Sequence, residues 1–416
     1  MVYSRRRPVI ASDGSMQRRH RPDYVLLLIS VFMLVLGLIV VFSISAALGE
    51  QKGLDENYYV NKQIIAVLLG VGTFVVACNV KPASWRRVEV PLLVLAALAS
   101  IAVRLFGEEI NGAYRWVQLG GFSFQAAELI KFALIVWLAG FLTDRIRRGV
   151  LTDNKETLKP LLVALLLITG VVAILQSDLG SAAVMVAIMV AMVYVAGLPL
   201  KKIMIVGGII AVGLVLLIST SPYRRSRLET FINPTADCQG AGYQSCQALL
   251  AVGSGGIIGL GVGRSVQAYG YLPEAANDSI FAIYGEKFGF IGSTVLIVFF
   301  VALFSRLKRI IDQSPDDYSR LLVVGILAWL SMQTFINIGA MIGLLPLKGI
   351  TLPFISYGGT SLIFVTAAIG VAFSVSRYTV YTGRSSIQLK EGIAHDSVAG
   401  RRGHRRPHNA AVSRRP

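Results

Sequence analysis

Asp278 stands where a carboxylate can do chemistry on a lipid headgroup. It lies in Leu272-Pro273-Glu274-Ala275-Ala276-Asn277-Asp278-Ser279-Ile280-Phe281-Ala282, at the end of a long polar loop and just before an apolar helix. That position is a membrane–water boundary, where the group stays ionised and still reaches a headgroup. Four more ionisable residues, Glu128, Lys131, Asp178 and Glu286, fall within or at the edge of apolar runs. Charges at that depth are costly and by default mark functional sites. Glu128 and Lys131 are three apart and share one helix face. They form either a structural ion pair or the wall of a polar cavity open to the outer leaflet, with Lys131 available to an anion. Asp178, in Gln176-Ser177-Asp178-Leu179-Gly180-Ser181, is either part of a site or a helix N-cap, a position aspartate favours.

Cations gather on the same side as Asp278. Arg115, Arg224, Arg225, Arg227, Arg264 and Lys348 all fall in outer connections. A guanidinium grips phosphate oxygens in a bidentate fork. One such arginine would only touch bulk headgroups. Several, set against the usual charge bias, point to a ligand bearing pyrophosphate, with Arg115 and Arg227 as the leading contacts. The stretch Gly343 to Ser361 contains Pro346, Lys348, Pro353 and Ser356 and interrupts an apolar run at membrane depth. Broken backbone is tolerated there only inside protein or beside a water-filled cavity. Gln333 and Asn337, on one face of the preceding span, would line the same cavity. The plainer alternative is a re-entrant turn that only closes the fold.

The elements that must position these residues are transmembrane helices. The chain has 416 residues, 54% hydrophobic and 15% charged, with a mean hydropathy of +0.65. A water-soluble protein of this length would carry more polar surface. The expected fold is all-α, a polytopic membrane bundle of about ten helices, with spans near 24–48, 63–79, 89–105, 125–143, 159–176, 179–197, 203–220, 280–304, 321–343 and 359–376. The first run lacks a small-residue cleavage site and reads as a retained helix. Basic clusters at Arg5-Arg6-Arg7, Arg86-Arg87, Arg145 to Arg148, Lys201-Lys202, Arg306 to Arg309 and Arg401 to Arg406 all fall on one side if the N-terminus is inside. The positive-inside rule therefore places both termini in the cytoplasm and Asp278 outside. The net charge of +17 is mostly this topology signal. The tail meets anionic membrane lipids rather than nucleic acid.

Three regions follow. Residues 1–22 are a basic cytoplasmic segment, 23–377 a membrane domain, and 378–416 a basic cytoplasmic tail without apolar periodicity. Within the membrane domain, 221–279 is one large extracytoplasmic loop, rich in glycine between Gly253 and Gly263. Its apolar stretches are expected to fold down onto the bundle. Cys238 and Cys246 share this loop, where an oxidising exterior permits a disulfide. Cys78 reads as a small packed apolar residue.

Ordered motifs run through residues 24–376. They are Asn111-Gly112 to Trp116, Phe124-Gln125 to Glu128 and Lys131, Gln176 to Gly180, Gly242-Tyr243-Gln244, Leu272-Pro273-Glu274 to Asp278, and Pro353 to Ser361. By these the chain resembles the SEDS family, the FtsW/RodA group of cell-wall polymerases. Lys348-Gly349-Ile350-Thr351-Leu352-Pro353 looks most like the division branch, FtsW. The chain departs from the family pattern at Ala126, where proline is usual, and at Asn277 and Ser279 around the retained Asp278.

The resemblance implies a peptidoglycan glycosyltransferase of cell-wall biogenesis, cell shape and cell division in the cytoplasmic membrane. It would polymerise lipid II outside the membrane and release undecaprenyl pyrophosphate. Its expected partners are a class B penicillin-binding protein and other divisome membrane proteins. Asp278 would be the catalytic base. Arg115, Glu128, Lys131, Asp178, Arg227, Glu286, Gln333, Lys348 and Ser356 would be substrate-binding residues. No closed metal-ligand motif is present, and a divalent cation such as Mg or Mn on the pyrophosphate stays open. Polar groups inside a bundle also suit a lipid II flippase or other transporter, and a third class is a non-catalytic division scaffold. Because the tail lies across the membrane from Asp278, removing residues 384–416 is expected to leave polymerisation in detergent largely unchanged. Loss of most activity in the well-folded truncated protein would reject that view.

Overall fold

The computed structural model describes residues 21–110, 113–119, 122–219, 229–233, 237–240 and 242–378. These fall in one compact unit, Met1–Thr379. Among them, nine helical segments are long and apolar enough to cross a membrane. In chain order the helices are α1 (Tyr24–Gln51), α2 (Tyr58–Asn79), α3 (Glu89–Phe106), α4 (Ala126–Arg148), α5 (Lys159–Gly170), α6 (Leu179–Ala196) and α7 (Leu200–Ser219). After the large loop come α8 (Tyr243–Ser254), α9 (Ile280–Asp312), α10 (Asp317–Met341) and α11 (Gly359–Ser376). The expected second span near 63–79 begins earlier, at Tyr58, and the expected 280–304 continues to Asp312. α4 is buried along nearly all of its length and forms the axis of the bundle. Many lipid-side residues such as Leu28, Leu68, Leu98 and Leu166 remain exposed, as a helix facing hydrocarbon requires.

Aspartates start several helices. Asp23 accepts from Leu26 N at 3.0 Å and Asp316 from Ser319 N at 2.9 Å. Each satisfies one of the N–H groups that a helix leaves without an internal partner. Asp23 also accepts three bonds from Arg306 toward the far end of α9, at 2.6, 3.0 and 3.2 Å.

Two parts of the chain between the spans are not simple turns. The connection between α3 and α4 is a three-stranded antiparallel sheet: β1 (Glu108–Ile110), β2 (Ala113–Leu119) and β3 (Phe122–Gln125). Trp116 pairs with Gln125 and Val117 with Phe124. The 221–279 loop contains α8, a 3-10 turn at Gln267–Tyr269 and a disulfide between Cys238 and Cys246. Its glycine-rich segment packs against a break in α9. At Gly289 the backbone turns to φ 64° and ψ −164°, a conformation that glycine alone adopts without strain. The break leaves α9 backbone groups without helical partners. Leu260 N donates to Glu286 O at 2.9 Å and Gly261 N to Lys287 O at 3.0 Å. Phe290 N and Ile291 N donate in turn to Gly256 O and Ile257 O, at 2.9 and 3.0 Å.

A Cβ at Gly289 would lie 2.3 Å from Gly259 N. Gly289→Ala is therefore expected to push the glycine segment away and destabilise the protein by about 1–3 kcal/mol, the usual cost of overpacking. Hydrogen exchange should quicken at Leu260, Gly261, Phe290 and Ile291. Unchanged protection at those four amides would show that the break does not anchor the loop.

Candidate active site at the broken strap

α10 carries the residues that hold the site together. Trp329, Gln333 and Asn337 are four apart, lie along one face and are essentially buried. They face the strap between α10 and α11, which contains Lys348 to Ser356. The side-chain amide of Asn337 donates to Asp278 O and to Ile350 O, both at 2.7 Å. Gln333 Nε2 donates to Thr351 O at 2.9 Å, and Gln333 Oε1 accepts from Trp329 Nε1 at 2.7 Å and from Lys131 Nζ at 2.9 Å. Lys131 Nζ lies 2.7 Å from Glu128 Oε1. Thr351 Oγ1 lies 3.0 Å from Ser361 Oγ. One chain of polar contacts thus runs from α4 through α10 into the strap.

Asp278 and Arg115 both approach the strap at Gly349. A Cβ placed on Gly349 would lie 3.3 Å from Arg115 Nη1 and 3.8 Å from Asp278 Oδ2. Glycine at 349 keeps the space between cation and carboxylate free of a side chain. Arg115 is carried on β2, and its guanidinium donates to Gln176 O at 3.2 Å and Ser177 O at 2.6 Å. Those carbonyls sit in the turn before α6, where Ser177 adopts φ 50°. Tyr357 N donates to Ala276 O at 2.8 Å, joining the far end of the strap to the Asp278 loop. The Tyr357 ring packs edge-on against Tyr59, with centroids 5.2 Å apart. Burial, with Tyr58 and Tyr59 beside it, pushes its phenol up in pKa, so it stays protonated.

The expected substrate contacts divide into two groups. Arg115 and Asp278 both approach Gly349, and Lys348, which precedes it, packs its Cβ 3.1 Å from a Cβ placed on Gly180. The others are used within the protein. Glu128 and Lys131, expected to pair or to line a cavity, are 3% and 1% exposed and paired with each other. They reach the strap through Gln333. Gln333 likewise is enclosed. Asp178 is the N-cap of α6, accepting from Ser181 N at 2.9 Å and Ser181 Oγ at 2.7 Å. Glu286 accepts from Ser265 Oγ, from Val266 N at 2.8 Å and from Gln267 N at 3.2 Å. It pins the loop rather than a ligand. Ser356 Oγ accepts from Leu352 N at 2.7 Å and closes a turn of the strap. Arg227 lies outside the described residues. Among the described residues no three His, Cys, Asp or Glu side chains group as metal ligands.

Asn337, expected to line a cavity, instead bonds two backbone segments. Its role as the clamp between two backbone segments carries no local motif. The signal available was its four-residue spacing from Gln333.

Residues 24–381 match the Cell cycle protein family FtsW/RodA/SpoVE. The chain is 37% identical over 366 residues to Stage V sporulation protein E of Bacillus subtilis, covering 88% of this chain and 99% of that protein. It is 38% identical over 380 residues to the Probable peptidoglycan glycosyltransferase FtsW of Neisseria gonorrhoeae, covering 82% of each. A chain from a solved peptidoglycan synthase complex that coordinates polymerization and crosslinking superposes with a TM-score of 0.70 at 26% identity, over 86% of this chain and 98% of that one.

The clamp makes a prediction about stability. Asn337→Leu would leave two buried carbonyls without this donor, each at a cost of about 1–3 kcal/mol. The unfolding midpoint in detergent should drop clearly below that of the wild type. An unchanged midpoint would mean that Asp278 and the strap are held by other contacts.

Proposed function

The chain belongs to the FtsW/RodA/SpoVE family, and from that premise we propose that it is a peptidoglycan glycosyltransferase acting in cell division. The observation that carries the reading is that Asp278 Oδ2 and Arg115 Nη1 both approach the open face of Gly349. The substrate is lipid II, polymerised at the outer face of the cytoplasmic membrane, with both chain termini in the cytoplasm.

Sugar transfer needs a deprotonated acceptor hydroxyl and a stabilised leaving group. Asp278 takes the proton of the acceptor 4-OH. The freed oxygen attacks the anomeric carbon of the donor sugar, and the bond from that carbon to the pyrophosphate oxygen breaks. Undecaprenyl pyrophosphate leaves with the electron pair, and the anomeric centre inverts from α to β. Arg115 is aimed at the leaving pyrophosphate. Its geometry is fixed beforehand by the carbonyls of Gln176 and Ser177, so no reorganisation is needed as charge develops. Arg227 and Lys348 are further cations for the same anion. Lys131, Glu128, Gln333 and Asn337 act as positioning residues that set where Asp278 and the strap stand. A divalent cation such as Mg or Mn would neutralise charge on the leaving pyrophosphate, but among the described residues no three His, Cys, Asp or Glu side chains are grouped to hold one.

The crosslinking partner is a class B penicillin-binding protein. The 221–279 loop, which ends in Asp278, is the element through which such a partner would favour the active arrangement, by binding that state more tightly.

The test uses purified protein, fluorescent lipid II and a gel that resolves glycan chains. Asp278→Asn keeps the shape of the side chain and removes the base. Its polymerisation rate is expected to fall at least 10²-fold, at the scale of a lost general base, with folding and membrane insertion intact. Wild-type turnover in this variant would falsify the catalytic assignment. Translocation of lipid II without polymer would favour the flippase reading.

A further inference from the structure

Ser279 follows Asp278 directly and is fully buried. It stands at the N-cap of α9, where a serine hydroxyl ordinarily accepts a bond from the first turn of its own helix. Among the described residues it makes no such cap. Its hydroxyl meets the large loop instead: Gln244 Nε2 donates to Ser279 Oγ at 3.2 Å. Gln244 is the second residue of α8. A short helix inside the loop thus holds the residue next to Asp278, and it can do so only because residue 279 carries a hydroxyl.

The two ends of α8 are fixed differently. Past its far end, Gly255 approaches α9 so closely that a Cβ there would lie 2.1 Å from Gly285 O. Its first turn is tied to the turn at residues 237–240 by the Cys238–Cys246 disulfide, whose cysteines are eight residues apart. Gln244 lies within that short covalent ring. Hydrogen bonds support it: Gly242 N donates to Asp237 O at 3.0 Å and Tyr243 N to Gly240 O at 3.1 Å. The 237–240 turn is exposed, and backbone bonds at exposed turns open at little cost. The crosslink limits how far the ring can spread when they do.

We propose that the Cys238–Cys246 disulfide and Gln244 form one positioning unit for Asp278, so that turnover depends on the oxidation state of this cysteine pair. The inference rests on the glycosyltransferase reading of Asp278 and adds a redox-sensitive positioning residue to it. With the ring open, the first turn of α8 frays, Gln244 leaves Ser279, and Asp278 loses a constraint on its C-terminal side. The reductant is a dithiol. Its thiolate attacks the sulfur of Cys238, which is exposed, and the buried Cys246 leaves as a thiolate and takes up a proton. The second thiol then attacks the mixed disulfide and releases Cys238. The protein gains two electrons and two protons, and the dithiol becomes a disulfide. The reverse exchange, with a disulfide donor in an oxidising exterior, brings the protein to its full rate.

The test compares oxidised protein with protein reduced by dithiothreitol, the state of each confirmed by mass after thiol alkylation. In the reduced protein, kcat for polymerisation is expected to fall about fivefold with KM for lipid II unchanged, the pattern of a misplaced reacting group. Unchanged kcat in fully reduced, folded protein would overturn the proposal. Gln244→Leu leaves both cysteines in place. It is expected to show the same drop while oxidised and to lose no more on reduction. A further fall of that size on reducing Gln244→Leu would mean that the two act independently, and the unit would be rejected. Hydrogen exchange gives a readout without turnover. Asn277 N and Ser279 N both donate to Glu274 O, and these amides are expected to exchange severalfold faster in reduced wild type and in oxidised Gln244→Leu. Equal protection in all three samples would overturn the proposal. If wild-type protein makes no polymer, the glycosyltransferase reading fails, and the exchange rates still decide whether the disulfide holds the Asp278 loop through Gln244.

Discussion

The amide of Asn337 donates one hydrogen bond to the carbonyl of Asp278 and another to that of Ile350. Two segments that are far apart in sequence and irregular in backbone are thereby fixed to one rigid helix. In a low-dielectric interior these bonds are strong, and their loss leaves costly unpaired groups. The rest of the site extends the same device. Gln333, one turn earlier, holds Thr351, and its carbonyl oxygen takes bonds from Trp329 and Lys131. Because that oxygen faces two donors and the nitrogen faces a carbonyl, only one orientation of the amide satisfies all three partners. A single stripe on α10 thus determines where the strap lies and where the Asp278 loop ends.

The same accounting explains the break in α9. A membrane helix that is interrupted must have its backbone groups met by protein. Here the glycine-rich loop supplies them, and the Glu286 carboxylate takes three further donors from residues 265–267. Asp278 therefore lies between two fixed points: the loop pinned at Glu286 on one side and Asn337 on the other. The polar residues at membrane depth do this anchoring, and Asp278 and Arg115 stand at its edge.

The helices were legible in the sequence because apolar runs of span length admit few alternatives. Asp278, Arg115 and the strap were legible as polar or broken features in places that penalise both. Composition could not tell which buried polar groups face a ligand and which face the protein. Asp178, Glu286, Ser356, Glu128 and Lys131 all satisfy the rule that a polar group at depth needs a partner, and the partners are internal. That choice depends on which backbone groups the tertiary fold leaves open. The small sheet had a local signal, the alternation in Tyr114-Arg115-Trp116-Val117-Gln118-Leu119 followed by Gly120-Gly121. Its shortness, beside long apolar runs, hid it.

This division of labour bears on which chemistry suits the molecule. A path for moving a headgroup across the membrane needs polar side chains that a passing ligand can engage in succession. Lys131 is held by Glu128 and Gln333, and Asp178 by Ser181; a transiting pyrophosphate would have to displace those partners at low dielectric. Sugar transfer at the boundary asks for the opposite, a carboxylate and a cation set in advance and supported from beneath. Arg115, with two carbonyls behind its guanidinium and an open glycine before it, is arranged to receive charge as it appears. The buried chain from Lys131 through Gln333 and Asn337 holds the strap and the Asp278 loop in place rather than lining an open path.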